Sequence, residues 1–448
     1  MSAASSPDLI VVGAGAAGLF AAGLAARAGL RTVLVERRHR PGQKLLMCGN
    51  NRCNFSHEGT PAELLRAYGQ PVAPFLRAAI AALPPEALRR EFAAMGLESV
   101  VSGGRLYPAS GKADDVLHAL MDRLRDCEVP LITNCPVESI RRQDGGGWII
   151  QSRCLTLEAP AALLCIGGFS YPKTGSTGDG ERFSRQLGIK FEPARAGLVA
   201  QELPRDCALA GLSCQMPVEL PDVALSYDGL PPCRGNLVID RGLMRGSAIY
   251  DLNRLAARGN LPGRGTIAID LFPQSDAPSL ERRIWQLQTR IDSPARLLNA
   301  LGMPGAFAQW LATALRRLDA EALKRLAIGG TRPRAIKEAI VTVGGLAREE
   351  FSPDTMECRR LPGLYAAGEV LDIDGPTGGY NLHAAFATAF LAAKALSGKI
   401  RPATAAPATG ATASERSRPA MRNSAKCGKN AKSAWGEHFW EGRKGRRP

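Results

Sequence analysis

Three glycines and one carboxylate carry the first chemical signal in this 448-residue chain. They lie in the stretch DLIVVGAGAAGLFAAGLAARAGLRTVLVE, Asp8 to Glu36. Gly13 permits a tight turn. Gly15 has no side chain, so a pyrophosphate can approach the backbone there, beside Ala16 and Ala17. Gly18 lets a helix pack close to a strand. The helix N-terminus offers unpaired N–H groups and a partial positive charge to phosphate. Glu36 follows Gly13 by 23 positions, which suits a carboxylate gripping ribose hydroxyls, with Arg37 beside it. The apolar runs Leu9–Val12 and Thr32–Val35 flank the Ala-rich segment, completing a strand–turn–helix–strand unit for the ADP half of a dinucleotide.

One such fingerprint does not separate NAD from FAD; a second signal near the C-terminus does. The strand GLYAA (Gly363–Ala367) runs into Gly368, Glu369 and Asp372, and the loop GPTGGYN follows, with a helix expected from about Leu382. Gly378 and Gly379 allow close approach to a flavin ring or pyrophosphate. Asp372 is expected at the ribityl hydroxyls or phosphate edge, and Glu369, Tyr380 and Asn381 at the flavin edge.

Between these ends, Arg52 and Lys44 are cations suited to pyrophosphate. Asn50, Asn51 and Asn54 are either amide donors to a flavin or turn residues. Gly167 and Gly168 follow a buried strand, Ala161–Ile166, and either approach the ADP moiety or only pack. Tyr171, Lys173 and Thr174 sit in a loop able to close over a cofactor. Hydride transfer asks mainly for positioning, because a flavin carries the chemistry. Reduction of a C=C bond still needs a proton donor, for which Tyr380 and Lys173 are the candidates. Cys48 and Cys53 raise a different chemistry: a CxxxxC pair soon after the first unit also occurs in flavin disulfide reductases. Against it, no second GxGxxG for NAD(P)H occurs mid-chain. The five histidines form no cluster, and the eleven cysteines include no CxxC pair or zinc-type spacing, so no metal is expected.

The elements that must position these residues suggest an α/β fold: a split Rossmann-like FAD-binding domain with an inserted β-rich unit and a small helical unit. Residues 8–190 read as the first part of the FAD-binding domain, 191–275 as the β-rich insert, 276–332 as the helical unit, 333–398 as the second part, and 399–448 as a disordered basic tail. The formal net charge is +15, and residues 401–448 hold eleven Lys/Arg against three Asp/Glu. About half of the basicity is therefore a property of the tail, where Trp435, Phe439 and Trp440 lie among the charges. Nucleic-acid binding through it is the secondary reading. No membrane span or secretory signal is evident, so a cytoplasmic enzyme acting on a small molecule is expected. Nothing in the pattern specifies an oligomeric state.

The chain resembles the BaiN/RdsA-type FAD-dependent, NAD(P)-linked oxidoreductases of bacteria over roughly residues 8–397. The resemblance is carried by GAGAAGL (13–19), GQKLLMCGNNRCN (42–54), LYPASGKADDV (106–116), CIGGFSYPKTGSTGDG (165–180), AIVTVGGL (339–346) and TMECRRLPGLYAAGEVLDIDGPTGGYNLHAAFAT (355–388). It implies bound FAD, NADH or NADPH as a transient donor, a three-part architecture, and the Val137 backbone against the adenine. Two departures stand out. CGNNRCN replaces the usual SGGGRCN or SGNGRCN, placing Asn51 where a glycine is common. IDRGLMRGSAIY (239–250) replaces a histidine-bearing signature in the insert.

Overall fold

The computed structural model describes residues 6–227 and 229–399; the basic tail, apart from Lys399, lies outside them. Five short strands form a parallel sheet in the order Leu364–Ala366, Ala161–Leu164, Leu9–Val12, Thr32–Val35, Leu131–Ile132. Leu9–Val12 and Ala161–Leu164 are buried throughout, as strands covered on both faces must be. The strand order reverses between these two, and the crevice beyond their C-terminal ends is where such sheets bind ligands.

Two Ala-rich helices pack on this sheet and on each other. The first, Ala16–Arg27, is buried along most of its length, and the last, Tyr380–Lys399, is buried from His383 through much of its course. Small side chains allow their close approach: a Cβ on Gly368 would sit 3.0 Å from that of Ala17. Phe20, Phe92 and Phe386 pack edge to face or stacked between them.

A second core lies in a closed antiparallel barrel of six strands: Gln201–Glu202, Leu243–Arg245, Cys233–Asp240, Val218–Ser226, Gly265–Asp270 and Leu326–Pro333. The stretch read as helical, 276–332, does contain four helices between Ala277 and Lys324. It ends, however, in a strand that closes the barrel against Gly265–Asp270 and Gln201–Glu202.

One barrel helix, Ser247–Arg258, joins the two cores. Asp251, Arg254 and Arg258 follow helical spacing along one stripe and reach the segment 372–377. Asp251 accepts from the Thr377 N–H (2.7 Å) and hydroxyl (3.0 Å). Arg254 pairs with Asp374 at 3.1 Å, and Arg258 pairs with Asp372 at 2.6 Å and also with Asp374. Arg348 reaches Asp372 from the other side at 2.6 Å.

Candidate functional site

A cavity of about 510 Å³ opens where the sheet, the last helix and the barrel meet. Gly13 and Gly379, 366 positions apart in sequence, both line it.

At one end the opening unit supplies the wall. Gly13 has φ +99°, and a Cβ there would come within 2.5 Å of the Cys165 carbonyl oxygen. Gly18 is not on the wall: a Cβ on it would strike the Gly13 carbonyl, so its role is helix–strand packing. Gly15 is the reverse case. A Cβ there would meet no protein atom within 4 Å, so the space beside it is open to a ligand. Gly15 also caps the first helix with no side-chain acceptor, leaving its N–H groups for an anion. Glu36 is buried and held by the Ala14 N–H (2.7 Å) and the Arg38 N–H (2.8 Å). Burial raises its pKa, against those two backbone hydrogen bonds. One lone-pair site on each oxygen remains for a ribose hydroxyl. Ala16, Ala17, Arg37, Val137 and Gly167 complete this end. Arg37 is already paired with Asp179 at 2.7 Å. Gly168 is off the wall, because its Cα faces Thr342, which accepts from the Phe169 N–H at 2.8 Å.

Further along, Lys44 pairs with Glu369 at 2.5 Å and donates to Ser170 Oγ at 2.6 Å. Glu369 also accepts from Ser170 Oγ (3.0 Å) and the Thr342 N–H (2.9 Å). Both lie on the wall with Gly368, but they neutralise each other. Arg52 lies on the wall with its guanidinium 4.9 Å from the Tyr107 ring centre, a cation–π contact. Asn51 is exposed and off the wall; it and Asn50 hold left-handed backbone, the turn role. Gly378 and Gly379 have φ of +113° and +100°, and a Cβ on Gly379 would collide with the Ser56 carbonyl. The Asn54 amide fits best donating to that carbonyl (2.8 Å) and accepting from the Gly379 N–H (3.1 Å). Asn381 staples its own loop, exchanging hydrogen bonds of 2.8 Å with the Gly375 N–H and carbonyl, and Leu382 completes the wall.

Three expectations need correction. Asp372 does not face the cavity. Its carboxylate is buried and taken up by Arg258, Arg348 and the Gly344 N–H (3.0 Å). Tyr380 is off the wall too, stacked on His57 at 4.8 Å and edge-on to Tyr68. Lys173 is exposed and off the wall.

The other end of the cavity holds residues that sequence reasoning passed over. Asn236, Gly246, Ser247 and Tyr250 come from the barrel, and Arg105 and Tyr107 from the strand Arg105–Pro108. The Asn236 side chain accepts from the Ser247 N–H (3.0 Å) and hydroxyl (2.9 Å), fixing the start of the barrel helix. Ser247 and Tyr250, three apart, then share its cavity-facing stripe. Burial pushes the phenols of Tyr250 and Tyr171 above their ordinary value. Arg105 has no carboxylate bonded to it among the described residues, though its charge reaches Asp251 and Tyr380. The one sequence signal was GSAIYDLNRLAAR, a glycine-started helix whose charged residues recur at helical spacing.

The model of the HI0933-like protein Rossmann domain matches residues 7–395. The chain belongs to this family. Family members are flavin-dependent oxidoreductases. The HI0933-like chain is 28% identical over 407 residues to "Ribosomal RNA dihydrouridine synthase" of Escherichia coli K12, covering 87% of this chain and 98% of that one. It is 27% identical over 410 residues to "3-dehydro-bile acid delta(4,6)-reductase" of Clostridium scindens, covering 86% and 98%. Among solved structures, 3-ketosteroid delta1-dehydrogenase from Sterolibacterium denitrificans shares the fold, with a TM-score of 0.51, 16% identity, and coverage of 88% and 100%. No metal-holding group of His, Cys, Asp and Glu occurs among the described residues, and none of their helices is long and apolar enough to cross a membrane.

Proposed function

We propose that this protein is an FAD-dependent reductase acting on a C=C bond conjugated to a carbonyl in a small organic molecule, with NADH or NADPH as transient donor. The observation that carries the reading is one cavity running from the open space at Gly15 to the phenol of Tyr250. The residues present fit FAD. Glu36 would take the ribose, and the N–H groups above Gly15 the pyrophosphate. Arg52 would add positive charge, and the glycine loop at 378–379 would lie against the ring. Bound flavin supplies the hydride. The names of two relatives support the bond type: a dihydrouridine is a uridine whose ring double bond is saturated, and a delta(4,6)-reductase of a 3-dehydro compound works beside a ketone.

Addition of hydride to one carbon leaves negative charge on the conjugated oxygen and calls for a proton at the other carbon. The Arg105 guanidinium is placed to polarise that oxygen. The Tyr250 phenol, protonated at neutral pH and pushed further up by burial, is the proton donor. The barrel walls this end through Asn236, Gly246, Ser247 and Tyr250.

The test is a visible spectrum of the purified protein, then anaerobic titration with NADH and NADPH, and turnover with conjugated enones. Yellow protein bleached by one donor and reoxidised by an enone is expected. Tyr250→Phe should lower kcat by about 10²-fold or more with FAD affinity unchanged. Colourless protein that gains no flavin would overturn the proposal. A uridine within RNA is the second reading, favoured by the E. coli relative's name and by the basic tail. It requires salt-dependent RNA binding that weakens on deletion of 401–448.

A further inference from the structure

We propose that Cys48 and Cys53 form a dithiol–disulfide couple in the cavity wall that exchanges with small organic disulfides. Among the described residues, every cysteine is a free thiol. Cys48 is half-buried and lines the cavity, while Cys53 is fully buried behind it. The connecting residues fold back sharply: Gly49, Asn50, Asn51 and Cys53 all have φ between +53° and +65°. Three non-glycine residues held in this region within four positions cost roughly 1–3 kcal/mol each unless the surroundings enforce them. What the turn achieves is a backbone hydrogen bond of 2.9 Å from the Cys53 N–H to the Cys48 carbonyl. Bond lengths and the fixed Cα–C=O angle then cap the Cα–Cα distance at about 6.8 Å, the upper end of the range that a disulfide spans.

The two sulfurs are chemically unequal. The Cys48 S–H donates to the Asn54 carbonyl at 3.7 Å. Contact with the neighbouring Cys53 thiol, against burial and with help from the Asn54 carbonyl and the Lys44 charge, holds the Cys48 thiol below its ordinary pKa. The same contact, with burial, pushes Cys53 well up. Cys48 is therefore the attacking thiolate and Cys53 the resolving thiol. In the first step Cys48 Sγ attacks one sulfur of a disulfide RSSR; the S–S bond breaks, a mixed disulfide forms, and RS⁻ leaves to take up the proton that Cys48 lost. In the second, Cys53 loses its proton and attacks Cys48 Sγ, expelling another RS⁻, which takes that proton. Two protein thiols are oxidised to one disulfide, and RSSR is reduced to two RSH.

Cys135 and Cys154 serve as an internal reference. Their sulfurs are 3.8 Å apart, and Cys154 is exposed. The full chain, purified with its cofactor, is equilibrated with hydroxyethyl disulfide, alkylated, and cut with trypsin, which cleaves at Arg52 between the two cysteines. The expected result is a disulfide joining the Cys48 and Cys53 peptides. In Cys53→Ser, the hydroxyethylthio adduct should stay on Cys48; in Cys48→Ser, Cys53 should remain a thiol. Alkylation of both Cys48 and Cys53 in the native chain, once Cys154 has reacted, would overturn the proposal. So would an adduct on Cys53 of Cys48→Ser with none on Cys48 of Cys53→Ser. The readout is mass rather than turnover, so it is independent of the reductase reading, and the unmutated chain decides it even where a variant does not fold.

Discussion

The two ends of the cavity are built in opposite ways. The end walled by residues 13–37 comes mainly from one contiguous strand–turn–helix–strand unit, and its polar groups are set by local backbone geometry: a left-handed glycine, an uncapped helix start, a carboxylate held by two nearby N–H groups. The far end is a convergence of segments around 52, 105, 236–250 and 376–382. No short stretch of chain defines it. Its geometry rests on a buried charge network, Arg254, Arg258 and Arg348 against Asp372 and Asp374, that clamps the barrel helix to the glycine loop. Local geometry shapes the end proposed for the cofactor; packing between distant segments shapes the end proposed for the substrate.

The sharpest way to break this comparison is Asp372→Ala. It removes the carboxylate shared by the half-buried Arg258 and Arg348 and by the Gly344 N–H, leaving Arg258 only Asp374, and should cost about 3–5 kcal/mol in denaturant unfolding. A loss below about 1 kcal/mol would mean that the network does not hold the far end. Next is the last helix, which serves both ends. His383 is fully buried between Ser56 Oγ (2.7 Å) and the Leu83 carbonyl (3.0 Å), and burial lowers its pKa to about 4 from an ordinary 6.5. The unfolded chain therefore binds the proton more readily. Stability is intact above pH 6.5, falls as the pH drops through 6.5 to 4, and the loss is complete below about 4, amounting to about 3 kcal/mol. In a series of unfolding curves, the stability difference between the native chain and His383→Gln should shrink by that amount between pH 7 and pH 4; a constant difference would assign the acid sensitivity elsewhere. The smallest expected effect separates the two ends directly. Glu36→Ala should weaken FAD binding about 10- to 100-fold by calorimetry, as for loss of a charged hydrogen bond, and leave the enone KM unaltered. Equal losses in both would mean that the ends are not independent.

The same contrast explains what the sequence revealed. Gly13, Gly15, Gly18 and Glu36 were legible because neighbours in sequence are neighbours in space. Asp372 was misread because an acid after a glycine-rich strand end looks the same whether it faces a ligand or an arginine, and its partner Arg258 lies 114 positions away. Tyr380 was misplaced because a tyrosine at a helix start gives no sign of which way its ring will turn; here it stacks on His57. Tyr250 ends the stretch 239–250, read only as a departure from a family signature, and Arg105 lies just before LYPASGKADDV; neither stretch states a chemical role for them. The closing barrel strand, Leu326–Pro333, was hidden by its Gly-Gly interruption and irregular burial, which blur a period-two pattern.

The parallel sheet receives its edge strand only with Leu364–Ala366, and the cavity gains its last wall only with Tyr380–Lys399. A chain still emerging from the ribosome carries the opening nucleotide unit early yet has nothing to close over it. Under the proposed function, capture of FAD would therefore be among the closing events of biosynthesis, and nascent molecules cut short before that helix would be made without colour.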